Sequence, residues 1–553
     1  MYSASQLVAL SASIALCAIA VLYADYFAHF FPARSTLLSV VEQQQLLASL
    51  VFHTSKQRTD AEKTREPPRL AFCCSVDLDV AVSAVDLMKK VETMERQDRT
   101  HQRRHELKQR HHERIGSFRE LQESFAFYFA SGAAAEQSML SSKDFQDVVT
   151  VANALPGVQK KVGGNAATMA ERAAAEGCHV LLGAAIGNEM RPYYTDTRIQ
   201  VVGSLREDQH EDVHLVLEYA RGDEFQGYTS PRANRYYLNH DVHNARLSVL
   251  ETFEQALDAF EPDLVVFGGL QLMEVENDHE ARRARLRALS EVLQNLFVAG
   301  TPSHYEFAAV SDFRLFDDTV HLVLPWVHSI GLNEQELFIL HHYLVTGQAG
   351  TATTSRPTIA DISAQLHDVI QIASKAKQTF HTSGQDRTNK ETDDNTDAPS
   401  TMALAQLSRI HFHTLQFHIV CQKDGGLWED PTTALIQSAL MSSKVACGKP
   451  PPPSSSTDAA PKDKAQPMRP SAEMEVDPDR IELLLAREQL VSARQGLKVD
   501  LDPFSPVVTW HEADFTCHLV PMLACKKPDH TAGLGDNISG TGVAYHRLQK
   551  RKQ

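Results

Sequence analysis

At 553 residues the chain is long enough for one large two-part enzyme or two to four ordinary domains. Its composition, 43% apolar and 22% charged, is that of a globular protein. The net charge of −16, from 54 basic against 70 acidic residues, argues against a nucleic-acid binder, and no such partner is expected. Eight cysteines (Cys17, Cys73, Cys74, Cys178, Cys421, Cys447, Cys517 and Cys525) form no CxxC pair and no disulfide-framework spacing. That argues against structural zinc and leaves pairing open.

In chain order, Leu7 to Tyr23 is an uncharged apolar run, and the first basic residue is Arg34. Residues 1–33 read as an apolar helix serving as a signal or membrane anchor; a buried core helix is the alternative. The endoplasmic reticulum, by membrane anchorage or in the lumen, is the expected address, with secretion as the other outcome. Val91 to Glu120, rich in Arg, His, Glu and Gln, reads as a solvated helix face. From Leu121 a helical pattern runs through FAFYFA to a turn at Ser131-Gly132.

The middle of the chain alternates strand and helix patterns, which implies a largely parallel sheet with helices on both faces. Val180 to Ile186, Leu264 to Phe267 and Leu322 to Leu324 read as buried strands. Ala166 to Glu176 reads as a helix with Asn165 as N-cap, and Asp278 to Ala299 as one ended by Gly300. His214 to Tyr219 alternates like an antiparallel strand of a smaller accessory sheet. Two segments, 381–400 and 448–480, are too polar or too rich in proline and serine to bury a core, and read as disordered insertions. Ile359 to Phe380 between the low-complexity stretches reads as a helix.

Four constellations could carry chemistry. Near the carboxyl end, GLGD (Gly533 to Asp536) sets glycine N–H groups at a helix start, beside a carboxylate. Together with Thr531 they would form an anion nest, and Asp536 would take a proton from an attacking hydroxyl; otherwise Asp536 is an N-cap. In PSHYEFA (Pro302 to Ala308), His304 and Glu306 are two apart on an extended segment and share a face, so Glu306 is either a metal-water ligand or an edge-strand glutamate. In GLNEQEL (Gly331 to Leu337), Asn333 and Glu336 either orient Mg²⁺ and phosphate oxygens or form a capping box. The glycines of VGGNAATMAERAAAEG (Val162 to Gly177) permit close backbone approach to a ligand or simply a tight turn; the stretch fits neither the GxGxxG nor the P-loop fingerprint. Oxygen ligands throughout imply magnesium.

Together GGNAA, the HxE of His304 to Glu306, the NxxE of Asn333 to Glu336, IHFHT (Ile410 to Thr414) and GLGD resemble the ADP-dependent glucokinases in order and approximate separation. RANRYYLNHD (Arg232 to Asp241), DLVVFGGLQLME (Asp263 to Glu274) and CHLVPMLACKKP (Cys517 to Pro528) extend the resemblance over 69–548. It implies a ribokinase-like α/β fold: a large doubly wound α/β domain and a small β-rich lid built from discontinuous amino-terminal pieces. The implied reaction is ADP plus D-glucose giving AMP plus glucose 6-phosphate, with Mg²⁺, in a monomer. By motif position Asp536 would be the catalytic base, with Arg235 at the transferring phosphate. Glu306, Glu336 and Asp536 would surround Mg²⁺, largely through water. Asn333, His413, Thr414, Gly533 and Gly535 would hold ADP, and Asp79, Glu136, Gly164, Asn165 and His214 would hold the sugar. The chain departs from the family pattern at Ser75, where asparagine is usual, at Asp77, where a neutral residue is expected, and at Asn537, where alanine is usual. Those departures bear on which sugar is taken. A kinase of another sugar, such as fructose 6-phosphate, and a non-catalytic protein of the same fold are the alternatives.

Overall fold

The computed structural model describes residues 43, 45–51, 66–98, 107–112, 114–206, 209–308, 310–348, 350, 358–383, 403–447, 468, 474, 476, 479–483, 506–526 and 533–548. The apolar run of residues 7–23, most of both proposed insertions, and Thr531 lie outside them. Among the described residues no helix is long and apolar enough to cross a membrane.

A ten-stranded sheet forms the large domain. Its central strands Leu264–Gly268 and Arg69–Cys73 lie side by side, with Ser303–Glu306, Ser329–Leu332 and Arg409–His413 beyond one, and His179–Ile186 and Ile199–Ser204 beyond the other, all parallel. Phe417–Lys423, Phe515–Pro521 and Val508–Glu512 continue it antiparallel. Alternation along one strand explains the layers. Ala71 and Cys73 face a core made with the helices Leu250–Phe260 and His279–Ala299, whereas Leu70 and Phe72 face one made with Asn165–Ala175. A buried parallel sheet needs this cover on both faces.

The lid is a five-stranded sheet of Ala135–Ser138, Asn234–Asn239, Val213–Tyr219, Asp77–Ser83 and Gln159–Gly163, in that spatial order. Behind it the ring of Phe125 stands 5.2 Å from those of both Phe129 and Phe225, an aromatic cluster that anchors the helix Phe118–Ser131. The chain leaves the large sheet at Cys73 and enters the lid at Asp77, so only Cys74 to Val76 separate the two sheets. Of the residues that the resemblance assigns to a sugar, Asp79, Glu136 and His214 ride on lid strands, and Gly164 and Asn165 directly follow one.

Two local expectations need correction. Leu322 to Leu324 is not a strand: the helix Phe313–Leu322 ends there and a short 3-10 turn, Leu324–Trp326, follows. The strand is Ser329–Leu332, four residues of SIGL, too short to outweigh the longer apolar run before it in a sequence window. Asn165 is not the N-cap of its helix. Gly164 is, at φ 90°, and Asn165 is the first helical residue with its side chain free for the site. Cysteines that spacing could not pair come together as Cys421–Cys517, directly opposed on neighbouring strands, Cys447–Cys525 and the adjacent Cys73–Cys74.

Candidate active site

Asp536 occupies the third position of the helix Leu534–Tyr545, whose N-cap is Gly533 at φ 67°. It therefore does not cap; its Oδ1 accepts a hydrogen bond from Asn165 Nδ2 at 2.7 Å, across the junction of two helix starts. Burial first, and the nearby Glu306 carboxylate second, push its pKa up to about 6. Gln271 Nε2, 3.4 Å from Asn165 Oδ1, completes the chain of amides that aims Asn165 at the carboxylate.

The glycine pair before Asn165 is required by what lies under it. A Cβ on Gly163 would stand 2.3 Å from Asp77 Oδ1, and one on Gly164 would stand 2.4 Å from the Ser75 carbonyl oxygen. That carbonyl accepts the N–H groups of Ala166 and Ala167 at 3.1 and 3.3 Å, and Ser75 Oγ accepts Asn165 N–H at 3.2 Å. Ser75 thus satisfies the orphan donors of the helix from outside, which accounts for a small hydroxyl at this position.

Lid strands bring the remaining groups of the cleft. His214 is in register with Asp79 on the neighbouring strand, and its Nε2 lies 2.9 Å from Asp241 Oδ1 while Nδ1 lies 3.5 Å from Asp77 Oδ1. Burial alone would depress this imidazolium, but Asp241 and Asp77 hold its pKa well above the ordinary value. Burial, followed by the neighbouring Asp79 and Asp241 carboxylates, pushes Asp77 well up. Asn239 Nδ2 donates to Glu136 Oε1 at 3.0 Å. Asp79, Glu136, Gly164, Asn165, His214, Gly533 and Asp536 line one cavity of about 1650 Å³. Arg235 does not line it; its guanidinium lies 5.6 Å from the ring of Tyr237, which does.

The second group lies behind Asp536. Glu306 ends an interior strand, not an edge, and is 3% exposed. Its Oε2 meets His304 Nε2 at 3.0 Å, and its Oε1 accepts Ser539 Oγ–H at 2.7 Å, with His413 Nε2 at 3.6 Å. Burial would raise this carboxyl, yet the two histidines bring it down to about 2, so it is an anion. His413 in turn is raised, the depressing effect of burial being outweighed by Glu306 and Glu336. Asn333 and Glu336 form a complete capping box, and burial holds Glu336 at about 7. Gly535 lies against His413: a Cβ there would touch its Cε1 at 3.4 Å. Thr414 spends its hydroxyl on a turn, accepting the N–H groups of Gln416 and Phe417. Glu306, Glu336, Asn333, His413, Thr414 and Gly535 do not line the cavity. Among the described residues, the three carboxylates Glu306, Glu336 and Asp536 do not converge on a common ligand point.

A family model for the ADP-specific phosphofructokinase/glucokinase conserved region matches residues 68–545. The chain belongs to that family. It is 30% identical over 441 residues to the ADP-dependent glucokinase of Bos taurus, covering 79% of this chain and 78% of that one. It is 26% identical to a probable ADP-dependent glucokinase of Caenorhabditis elegans, over 87% and 85% of the two chains. Among solved structures, an ADP-dependent kinase in complex with fructose 6-phosphate and ADPβS superposes with a TM-score of 0.57 at 14% identity, over 91% of this chain and 97% of that one. A last common ancestor of ADP-dependent phosphofructokinases from Methanosarcinales superposes with a TM-score of 0.55 at 15% identity, over 92% and 98%.

The α/β architecture with a large, mainly parallel sheet and a smaller β-rich lid, and the membership among ADP-dependent sugar kinases, are therefore as the sequence implies. Sequence reasoning missed Asp241, Tyr237, Gln271 and Lys161. Lys161 Nζ lies 3.5 Å from Asp79 Oδ2. Asp241 closes the RYYLNHD stretch, and an aspartate after a strand was the available signal. The other three have none, because their roles exist only across strands and helices.

Proposed function

We propose that the chain is an ADP-dependent glucokinase, converting ADP and D-glucose to AMP and D-glucose 6-phosphate, with Asp536 as general base. The observation that carries this is Asp536 itself. It is a buried carboxylate raised to about 6, aimed by Asn165 into a cavity whose far wall is polar lid residues. A base with a pKa near the working pH can take the proton of a hydroxyl as its oxygen attacks. The sugar 6-oxygen bonds to the β-phosphorus of ADP, the bond from that phosphorus to the AMP oxygen breaks, and the hydroxyl proton passes to Asp536.

Asp79, Glu136, Gly164, Asn165 and His214 would bind the sugar hydroxyls, and closing the lid would exclude water. Asn333, His413, Thr414, Gly533 and Gly535 would hold ADP. Arg235, on a lid strand, would reach the transferring phosphate. The donor set of Glu306 and Glu336, with Asp536 alongside, suits magnesium held through water: all are oxygens, and Glu306 is ionised. When bound, that ion neutralises charge on the phosphates. Glu136 at the sugar wall favours an unphosphorylated hexose over a sugar phosphate. Residues 1–33 as an anchor or signal for the endoplasmic reticulum, and a monomeric state, complete the proposal. Turnover with ADP and glucose tests it; turnover only with fructose 6-phosphate would move the acceptor and keep the kinase.

A further inference from the structure

We propose that Asp77, Asp79 and His214 form a divalent-cation site on the sugar wall of the cleft, separate from the phosphate-side carboxylates. One ligand atom from each lies within 4.8 Å of the other two, and all three residues are buried. The sheet pins them. Asp77 and Asp79 are two apart on one strand and so share a face, and His214 is in register with Asp79 on the next strand.

A second observation points to a ligand. Asp77 is 0% exposed, and among the described residues neither of its carboxylate oxygens has a hydrogen-bond partner. His214 Nδ1 lies 3.5 Å from its Oδ1. Buried carboxylates normally collect several donors, and one left without any is paired with a charge or waits for one. The outer groups are those of a ligating histidine. His214 Nε2 is engaged by Asp241 Oδ1 at 2.9 Å, and Asp241 Oδ2 accepts Asn244 Nδ2–H at 3.0 Å. Asn244 is itself locked to the backbone of Val76 at both ends of its amide. A carboxylate behind the imidazole fixes the ring and leaves Nδ1 as the ligand atom.

Two carboxylates and one imidazole suit a first-row ion such as Mn²⁺, Co²⁺ or Zn²⁺ better than Mg²⁺, which prefers an all-oxygen shell. The cation would take the place of the Nδ1 proton, and its +2 charge would balance Asp77 and Asp79. Lys161, which lies near Asp79 Oδ2 and is half exposed, would swing into solvent. All three ligands line the cavity, so the open coordination positions face the cleft, where a vicinal diol of a sugar could fill them. That last step rests on the sugar-site assignment; the cation site does not. It gives the carboxylate at position 77, where a neutral residue is expected, a function.

The test is calorimetric titration of the full chain with Zn²⁺, without nucleotide or sugar. The expected result is one site whose affinity falls at least tenfold in Asp77→Asn and roughly 10–100-fold in Asp241→Asn, and is unchanged in Glu306→Gln. Binding that is absent, or indifferent to Asp77→Asn and Asp241→Asn, would overturn the proposal. Should those variants fold poorly, Glu306→Gln protein labelled with ¹⁵N-histidine and loaded with Mn²⁺ decides it by pulsed electron paramagnetic resonance. One directly bound imidazole nitrogen supports the site, and an oxygen-only shell refutes it. Neither readout uses turnover, so a failure of the glucokinase assignment would leave both standing.

Discussion

The two sides of the cleft are built on different terms. On the proposed phosphate side, His304, Glu306 and His413 sit on interior strands, and Glu336 and Asp536 in the first turns of helices. Glu306 and His413 hold each other charged, while burial raises Glu336 and Asp536. On the proposed sugar side, Asp77, Asp79, Glu136 and His214 ride on lid strands. Under the proposed function, rigid elements of the large domain carry the chemistry and the lid sheet carries the sugar contacts.

The sharpest way to break this contrast is Asp536→Asn. Its kcat is expected to fall roughly 10²–10⁴-fold with ADP binding retained. The same change should raise the melting temperature of the free protein at pH 8. A carboxyl raised from its ordinary 3.8 to about 6 disfavours the folded state increasingly from pH 4 upward and fully above 6. Asparagine removes that cost while still accepting the Asn165 hydrogen bond. The gain should therefore shrink toward pH 4.

Two glycines separate the sides. A Cβ at Gly331 would stand 2.0 Å from Glu306 Oε2, so Gly331→Ala should displace that carboxylate and lower kcat by roughly 10²-fold, with little change in sugar KM. Gly164→Ala should instead raise sugar KM about 10-fold. Its φ of 90° strains an alanine by ~1–3 kcal/mol, and its Cβ meets the Ser75 carbonyl beneath the sugar wall. Steady-state kinetics of both variants, with each substrate varied in turn, would show whether the split is real.

Acid should act first on the phosphate side. In kcat/KM, activity should decline below about pH 6 as Asp536 protonates. Glu306, held at about 2 against an ordinary 4.5, contributes stability that is complete above 4.5 and is lost as pH falls toward 2. Acid melts of Glu306→Gln should show a flatter limb over that window. The smallest effect is expected from Asn537→Ala. Asn537 accepts Arg172 Nε–H at 2.9 Å and donates to the Gly533 carbonyl at 2.8 Å, so the loss should be about 1–3 kcal/mol of stability, with kcat changed only a few-fold. Chemical denaturation alongside kinetics checks it.

How much was legible follows from range. Val180–Ile186 and Leu264–Phe267 could be read because dense aliphatic runs advertise buried strands whatever their period, and the helix from Asp278 to Gly300 because both of its caps are local. Ser329–Leu332 could not, since four residues carry no period. Asn165 looks like an N-cap in sequence, and only the fold puts Asp536, 371 residues away, against its amide. Likewise nothing local announces that Asp241 fixes His214, or that Ser75 caps a helix ninety residues on. The motifs marked residues that the fold brings around one cleft; the orientation of each side chain came from contacts distant in sequence.

The most direct measurement is a coupled assay for glucose 6-phosphate with glucose and Mg²⁺, comparing ADP with ATP as donor, on wild type and Asp536→Asn side by side. Product from ADP and not ATP, nearly abolished in the variant, is the predicted result. Comparable rates in the two proteins, or no phosphorylation of any sugar despite ADP binding, would contradict it.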